Sequence, residues 1–479
     1  MTACPDSASR RRANGCFRSP AAVCAVALSV GTWWGLADNV TAAAEPTPSA
    51  WKAAAASASI TPAEPMWMAG YASRNKPSEG VAQDLFAKCV VLEDARQQRL
   101  VIVTWDLIGV PRSLRLSLET QVCERFQLAP EWLLLNASHT HCGPELRVGQ
   151  FSEPDAERAV QVQKYLSRLE ETVLGLIGDC LARLQPVTLG YSHARCGFAM
   201  NRRLPTETEP RLSPYPDGPV DHAVPVLRID RLDGKLLAVL FGYACHNTTL
   251  SFYQFCGDYA GYAQEYLEAA HPDCVAAFLT GCGGDQNPYP RGTLEQCQQH
   301  GRALANAVEA ALLPQPRLLT GTLAAALDTV TLEFAPPPAK EALEARSQSS
   351  NESVARHARR LLQQLEAHGK ISTEYPYWVH VIRLGHEVTL VALAGEVVVD
   401  YSLRLKRELA DTTLWMAGYS NDVFGYVPSQ RVLREGGYEG GGAMVYTALP
   451  GPFADDVEER IIAKVHELYR RTRPQAAKP

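Results

Sequence analysis

The sequence has no CxxC pair and no regular cysteine spacing, which rules out a thiolate zinc finger built on closely paired ligands. It has no basic excess either. Lys and Arg number 46 against 52 Asp and Glu, and the formal net charge is −6. Phosphate binding needs a basic face, so no nucleic-acid partner is expected. There is no Walker Lys-Ser/Thr and no dinucleotide glycine spacing, so Gly281-Cys282-Gly283-Gly284-Asp285-Gln286-Asn287-Pro288 does not read as a phosphate cradle. A loop bringing backbone N–H groups and Asp285 close to a substrate suits it better. Internal repeats and low-complexity segments are missing, and no protein partner is indicated.

Beyond residue 44 no apolar run is long enough to span a bilayer. Before it, the order is basic, apolar and small: Arg10, Arg11, Arg12 and Arg18, then Ala21 to Ala37, then Ala42-Ala43-Ala44 ahead of Glu45. That is the order of a secretory signal peptide, so residues 1–44 are expected to be removed and the protein to be secreted or periplasmic. An uncleaved membrane anchor is the competing reading, since the apolar run approaches spanning length. Residues 45–52 read as a linker, 53–470 as one hydrolase domain and 471–479 as a flexible tail. Of the 13 cysteines, Cys4, Cys16 and Cys24 lie in the export segment. Export permits disulfides among the others, and buried free thiols packing as small hydrophobes are the alternative.

Apolar runs recur along the rest of the chain: Leu100–Asp106, Trp132–His141, Leu236–His246, Cys274–Gly281, Glu387–Glu396 and Leu414–Asn421. Continuous Val, Leu and Ile at this length suit strands buried on both faces. Amphipathic stretches at 159–184, 260–270 and 293–312, and another directly after Glu396, predict helices. A long polar helical stretch at 339–370 reads as a surface helix or insert. The fold class is therefore α/β, a mixed sheet flanked by helices, with the site at the strand ends. Asp106, His139, His141, His246, Asp285, Glu396 and Tyr426 all end or follow apolar runs, which predicts one shared crevice.

Each motif is modest by itself. His139-Thr140-His141 places two imidazoles on one face if the segment is a strand. His246 alone reads more often as a core histidine with satisfied hydrogen bonds. Glu396, after Ala394-Gly395, reads as a carboxylate in a tight turn at a helix start, where the dipole alone could explain it. Asn136, Asn247 and Asn351 match the glycosylation sequon, but the first two fall inside site motifs.

Taken in order, SHTHCGPE (Ser138–Glu145), NRR (Asn201–Arg203), YACHNTT (Tyr243–Thr249) and GDYAGYAQ (Gly257–Gln264) resemble the neutral, non-lysosomal ceramidase family. GGDQNP (Gly283–Pro288), AGE (Ala394–Glu396), SNDVFGYV (Ser420–Val427) and GGYEGG (Gly436–Gly441) continue the resemblance, which covers nearly all of the chain after the export segment. These are zinc amidases acting on N-acyl-sphingosine. The resemblance implies a Zn2+ cofactor held by His139, His246, Glu396 and Tyr426. It implies a catalytic substrate contact for His141 and substrate-site roles for Arg202 and Tyr438. Two departures stand out. The family's Gly-Asp-x-Ser-Pro-Asn segment has serine where this chain has Asn287. The short stretch after Glu396 already carries the Tyr426 and Tyr438 motifs, so the family's C-terminal immunoglobulin-like domain is expected to be missing.

The expected activity is hydrolysis of an N-acyl amide or lipid-like substrate by attack of zinc-bound hydroxide, with room for peripheral membrane contact. His141 is expected to pass a proton to the leaving amine, and Arg202 or Asn287 to stabilise the oxyanion. Asn287 as a turn cap before Pro288 is the competing reading. The rival functions are a zinc esterase or lactonase on the same scaffold, and a non-catalytic binding protein that kept the fold.

Overall fold

Side chains along a strand alternate between the two faces of its sheet. In Phe86–Glu93, Cys89 and Val91 point to one side and Val90 and Leu92 to the other, yet all four are buried. The computed structural model, which describes residues 51–147 and 155–473, shows what covers each face. The expected signal segment lies outside the described residues, as do positions 45–50 of the linker and 474–479 of the tail.

The larger sheet has nine strands. Its order runs Val275–Thr280, Leu236–Tyr243, Ala223–Arg231, Gln185–Arg195, Trp51–Ser59, Phe86–Glu93, Arg99–Trp105 and Leu133–Ala137, with Arg317–Leu318 added beside Gln185–Arg195. Pairing is parallel only in the outermost pair at each end of this order and antiparallel elsewhere. A second sheet runs Leu323–Glu333, Glu374–Leu384, Val388–Leu393 and Thr413–Ala417, its last pair parallel.

Three apolar clusters account for the layers. One joins a face of the larger sheet to helices Arg112–Phe126, Ala156–Ala182, Asp258–Ala270 and Leu294–Leu312. A second, with Val90, Leu92, Leu240, Leu384, Leu390 and Trp415, joins the two sheets face to face. The third packs Val379, Val391 and Leu393 against helices Val399–Glu408 and Val457–Arg471. The fold is α/β with mixed sheets and flanking helices, as expected. The inner cover of each sheet, however, is the other sheet rather than a helix layer.

Several local expectations change. Trp51 and Lys52 belong to the first strand rather than to a linker; the Trp51 ring is buried and its Nε1 donates to Leu319 O at 3.0 Å. The last helix runs through Arg471, and Thr472 caps it in a buried position, so the tail begins later than expected. The stretch 339–370 forms two helices, Lys340–Arg346 and Glu352–His368, because the Asn351 side chain caps the second. All ten described cysteines are free thiols, and only Cys123 is exposed. No helix among the described residues is long and apolar enough to cross a membrane.

The two sheets are stitched together near one end of their strands by Asn136. Its amide donates to Gly418 O at 2.8 Å and to Ser420 Oγ at 3.0 Å and accepts from Thr280 N–H at 2.9 Å. With Asn136 and Asn247 wholly buried and hydrogen-bonded, neither can serve as a glycosylation site.

Candidate metal centre and active-site cavity

His139 lies two residues past the strand Leu133–Ala137, not within it, and has φ +62°. The two imidazoles of the HxH motif therefore meet through a turn rather than by strand alternation. His139 Nδ1 donates to Ile108 O at 2.5 Å. His246 follows the strand Leu236–Tyr243, and its Nδ1 donates to Gly283 O at 2.7 Å. A carbonyl only accepts, so in the neutral rings both Nε2 atoms carry lone pairs. These face the same atom: Glu396 Oε2 lies 3.2 Å from each.

Glu396 is not the first residue of a helix. It forms a two-residue strand with Val397, paired in parallel with Tyr426–Val427, and the helix begins at Val399. Gly395 allows this pairing. Its φ is +76°, and a Cβ there would come within 2.9 Å of Gly425 O. The register sets Glu396 opposite Tyr426, whose hydroxyl lies 3.2 Å from His246 Nε2. His141 Nε2 completes the group, 3.2 Å from His139 Nε2.

The donor set fits a cation. Two imidazole lone pairs aimed at one carboxylate oxygen repel one another unless positive charge sits between them. A tetrahedral zinc with bonds of about 2.0–2.1 Å spaces its ligands roughly 3.3 Å apart. The contacts run in a chain, His141, His139, Glu396, His246, Tyr426, each step 3.2 Å. The two Nδ1–H···O=C bonds are the outer support that fixes ligand tautomers. Burial and Arg202 push His246 down to about 4, which keeps it neutral and able to ligate. Burial, with His139 and His246 nearby, holds His141 well below the usual imidazole range.

A cavity of about 200 Å3 opens over this cluster, walled by His139, His141, Glu396 and Tyr426 and by Tyr71, Arg147, Tyr438 and Tyr446. His141 Nδ1 is buried with no hydrogen-bond partner among the described residues. Gly70 makes room for the ring: a Cβ at that position would lie 2.3 Å from His141 Cγ. Tyr438 stands edge-on to Tyr426 at 5.3 Å between ring centroids.

Arg202 and Asn287 lie behind this wall, outside the cavity lining. Arg202 donates from Nη2 to Tyr426 OH at 3.0 Å, from Nη1 to Asn287 Oδ1 at 3.1 Å and from Nε to Glu439 Oε1 at 2.7 Å. Asn287 presents its carbonyl to the guanidinium. It sits in the short strand Gln286–Pro288, paired with Ala199–Leu204, rather than in a turn. Asp106 and Asp285 do not join the cluster either. Asp285 is buried and accepts from Val399 N–H and Asn201 Nδ2 at 2.9 Å each; burial, helped by Asp400, pushes it up to about 7. Asp106 accepts from Phe86 N–H at 3.0 Å, and burial pushes it up to about 6.

Sequence reasoning missed Glu439 and Tyr419. Glu439 is buried between Arg202 and Arg203 at 2.7 Å from each. Tyr419 packs its ring 4.5 Å from that of His139. The acid lies one residue from Tyr438, but nothing in a single sequence marks it as buried.

A family model described as neutral/alkaline non-lysosomal ceramidase, N-terminal, matches residues 54–310. Among solved structures, the crystal structure of neutral ceramidase from Pseudomonas aeruginosa is similar at a TM-score of 0.69 and 20% identity, covering 90% of this chain and 76% of that one. A structure titled "Ceramidase complexed with C2" is similar at 0.67 and 19%, covering 90% and 77%. No curated protein sequence matches.

Proposed function

The chain belongs to the neutral/alkaline non-lysosomal ceramidase family, and from that premise we propose that it is a zinc-dependent hydrolase of N-acyl amides. Family and fold are those of a ceramidase-like hydrolase; zinc, the amide bond and the residue roles are our reading. The observation that carries it is the convergence of two imidazole lone pairs, a carboxylate and a tyrosine hydroxyl at the floor of an open cavity.

His139, His246, Glu396 and Tyr426 would hold the ion. When bound, zinc supplies Lewis acidity and a water whose pKa falls from about 16 to about 7. His141 is neutral at pH 7 and lines the cavity, so it can take a proton from the attacking water and return it to the leaving amine. Arg202 donates to the Tyr426 hydroxyl and so orients the fourth of the donors that would hold the ion. Arg202 is thus a positioning residue, and Asn287 braces Arg202 through its carbonyl. Tyr438 lines the cavity beside Tyr426.

Metal analysis of the purified protein, paired with hydrolysis of a simple N-acyl amide before and after chelation, tests the reading. About one zinc per chain and activity restored by zinc are expected. Amide hydrolysis that survives complete metal removal overturns it. We further propose export, resting on the basic–apolar–small order of residues 1–44. Protein recovered outside the inner membrane should begin near Glu45, and an N terminus that retains Arg10–Arg12 overturns that proposal.

A further inference from the structure

Four buried cysteines meet in pairs, and nothing in the roles above uses them. Cys256 lies between the short strand Gln254–Phe255 and helix Asp258–Ala270, and Cys297 sits in the first turn of helix Leu294–Leu312. The two helices approach closely: a Cβ on Gly301, one turn past Cys297, would lie 2.6 Å from Tyr262 Cβ. Asp258 touches both sulfurs. Its N–H donates to Cys256 Sγ at 3.4 Å, and its Oδ1 accepts from Cys297 Sγ at 3.6 Å. The two thiols also hydrogen-bond to each other. The second pair joins a strand to a helix. Cys89 belongs to the strand Phe86–Glu93 and Cys180 to the helix Ala156–Ala182; Cys180 Sγ lies 3.7 Å from Cys89 O, and these thiols are hydrogen-bonded as well.

Sulfurs in contact have the approach a disulfide requires, whereas cysteines whose side chains point apart cannot be joined without moving the backbone. Oxidation would cost little in hydrogen bonding. Asp258 keeps the N–H groups of Tyr259 at 2.7 Å and Leu250 at 2.9 Å, so losing the weak thiol donor leaves no buried carboxylate oxygen stranded. Resting on the export proposed above, we propose that Cys256 is joined to Cys297, and Cys89 to Cys180, when the chain folds in an oxidising compartment. The free thiols are the reduced form of these two bonds. In each closure two thiols give up two protons and two electrons to a disulfide-bearing oxidant, whose own S–S bond becomes two thiols. All four sulfurs are closed to solvent in the folded chain, so closure belongs to folding.

The first bond bears on the metal centre. Cys256 N–H donates to Cys142 O at 3.0 Å, and Cys256 O accepts from Thr140 Oγ1 at 2.7 Å. A Cys256–Cys297 bond therefore ties the turn that carries His139 and His141 to helix Leu294–Leu312.

Protein recovered outside the inner membrane, its N terminus sequenced to establish export, is unfolded without reductant, alkylated with iodoacetamide and mapped by mass spectrometry. Peptides linked Cys256–Cys297 and Cys89–Cys180 are expected, with the exposed Cys123 alkylated. A pair found fully alkylated in exported protein overturns that bond and leaves export standing. If the N terminus retains residues 1–44, export fails, and the full chain refolded from its reduced state with zinc and a glutathione redox pair carries the test with the same two outcomes. A bond closing a loop of about forty residues should raise Tm by about 3–5 °C in a chain of this size. Cys297→Ala should therefore lower Tm by that much in oxidised protein, and the gap should narrow when wild type and variant are both folded under reductant. A gap of equal size in the two states reports lost packing and overturns the Cys256–Cys297 bond.

Discussion

Glu439→Gln should unsettle both the fold and the metal centre. The wild-type carboxylate accepts from Arg202 Nε and Arg203 Nη1 at 2.7 Å each, in a position closed to solvent. Glutamine keeps the volume but removes the charge, and its NH2 must face one of two guanidinium donors. Losing one partner of a buried ion pair costs about 3–5 kcal/mol, since charge is left buried without compensation. At about 2 cal/mol/K per residue, a chain of 479 residues has an unfolding entropy near 1 kcal/mol/K, so Tm should fall by about 3–5 °C. The effect should depend on pH. Burial raises the Glu439 pKa, but Arg202 and Arg203 outweigh it and leave it below the ordinary value. A depressed folded-state pKa gives stability that is present above the unfolded value, about 4.3, and is lost as pH falls through the folded value. The Tm gap between wild type and variant should therefore be full at pH 7 and narrow below pH 4. Arg202 also orients Tyr426, so zinc affinity should fall about 10- to 100-fold, as for other groups that support a ligand. Calorimetry at pH 7 and below pH 4, with competitive zinc titration, reads all three effects. A Tm within 1 °C of wild type at pH 7 with unchanged zinc affinity would refute the account of the Arg202–Glu439–Arg203 group.

Zinc content distinguishes ligand from catalyst at the two ends of the contact chain. His139→Ala, His246→Ala and Glu396→Gln should each lose zinc, Tyr426→Phe should bind it more weakly, and His141→Ala should keep it while kcat drops about 100- to 10,000-fold; loss of zinc from His141→Ala makes His141 a ligand. Gly70→Ala drives a Cβ into the His141 ring from a backbone of φ +92°, so it should lower kcat toward the level of His141→Ala with zinc retained; a variant with wild-type kcat contradicts that packing. Asn287→Ala removes one acceptor from Arg202 and one from Thr248 Oγ1 and should cost about 1–3 kcal/mol of stability with a modest fall in kcat; a loss of several hundredfold in kcat at unchanged stability would restore Asn287 as a direct oxyanion donor.

Linear order and composition determined a good deal. The continuous apolar runs around Val101–Val103, Leu133–Leu135, Val239–Phe241 and Leu390–Leu393 announced strands buried on both sides, because no half-exposed strand tolerates such runs. His139, His246, Glu396 and Tyr426 were legible as a set because each follows its run at a strand end and their motifs occur in family order. Composition could not say what lies against a buried face. A sheet and a helix layer present the same apolar demand, so only the assembled chain decided that the two sheets cover each other through Leu240, Leu384, Leu390 and Trp415. Tertiary structure also separated residues that look alike in sequence. Asp106, Asp285 and Glu396 all end apolar runs, but only Glu396 is carried to the imidazoles, by its pairing with Tyr426 across a glycine turn. Arg202 and Arg203 are neighbours in the chain, and their shared partner Glu439 lies more than two hundred residues away. Which charges meet in a dry interior depends on chain closure over such distances, and no local pattern encodes it.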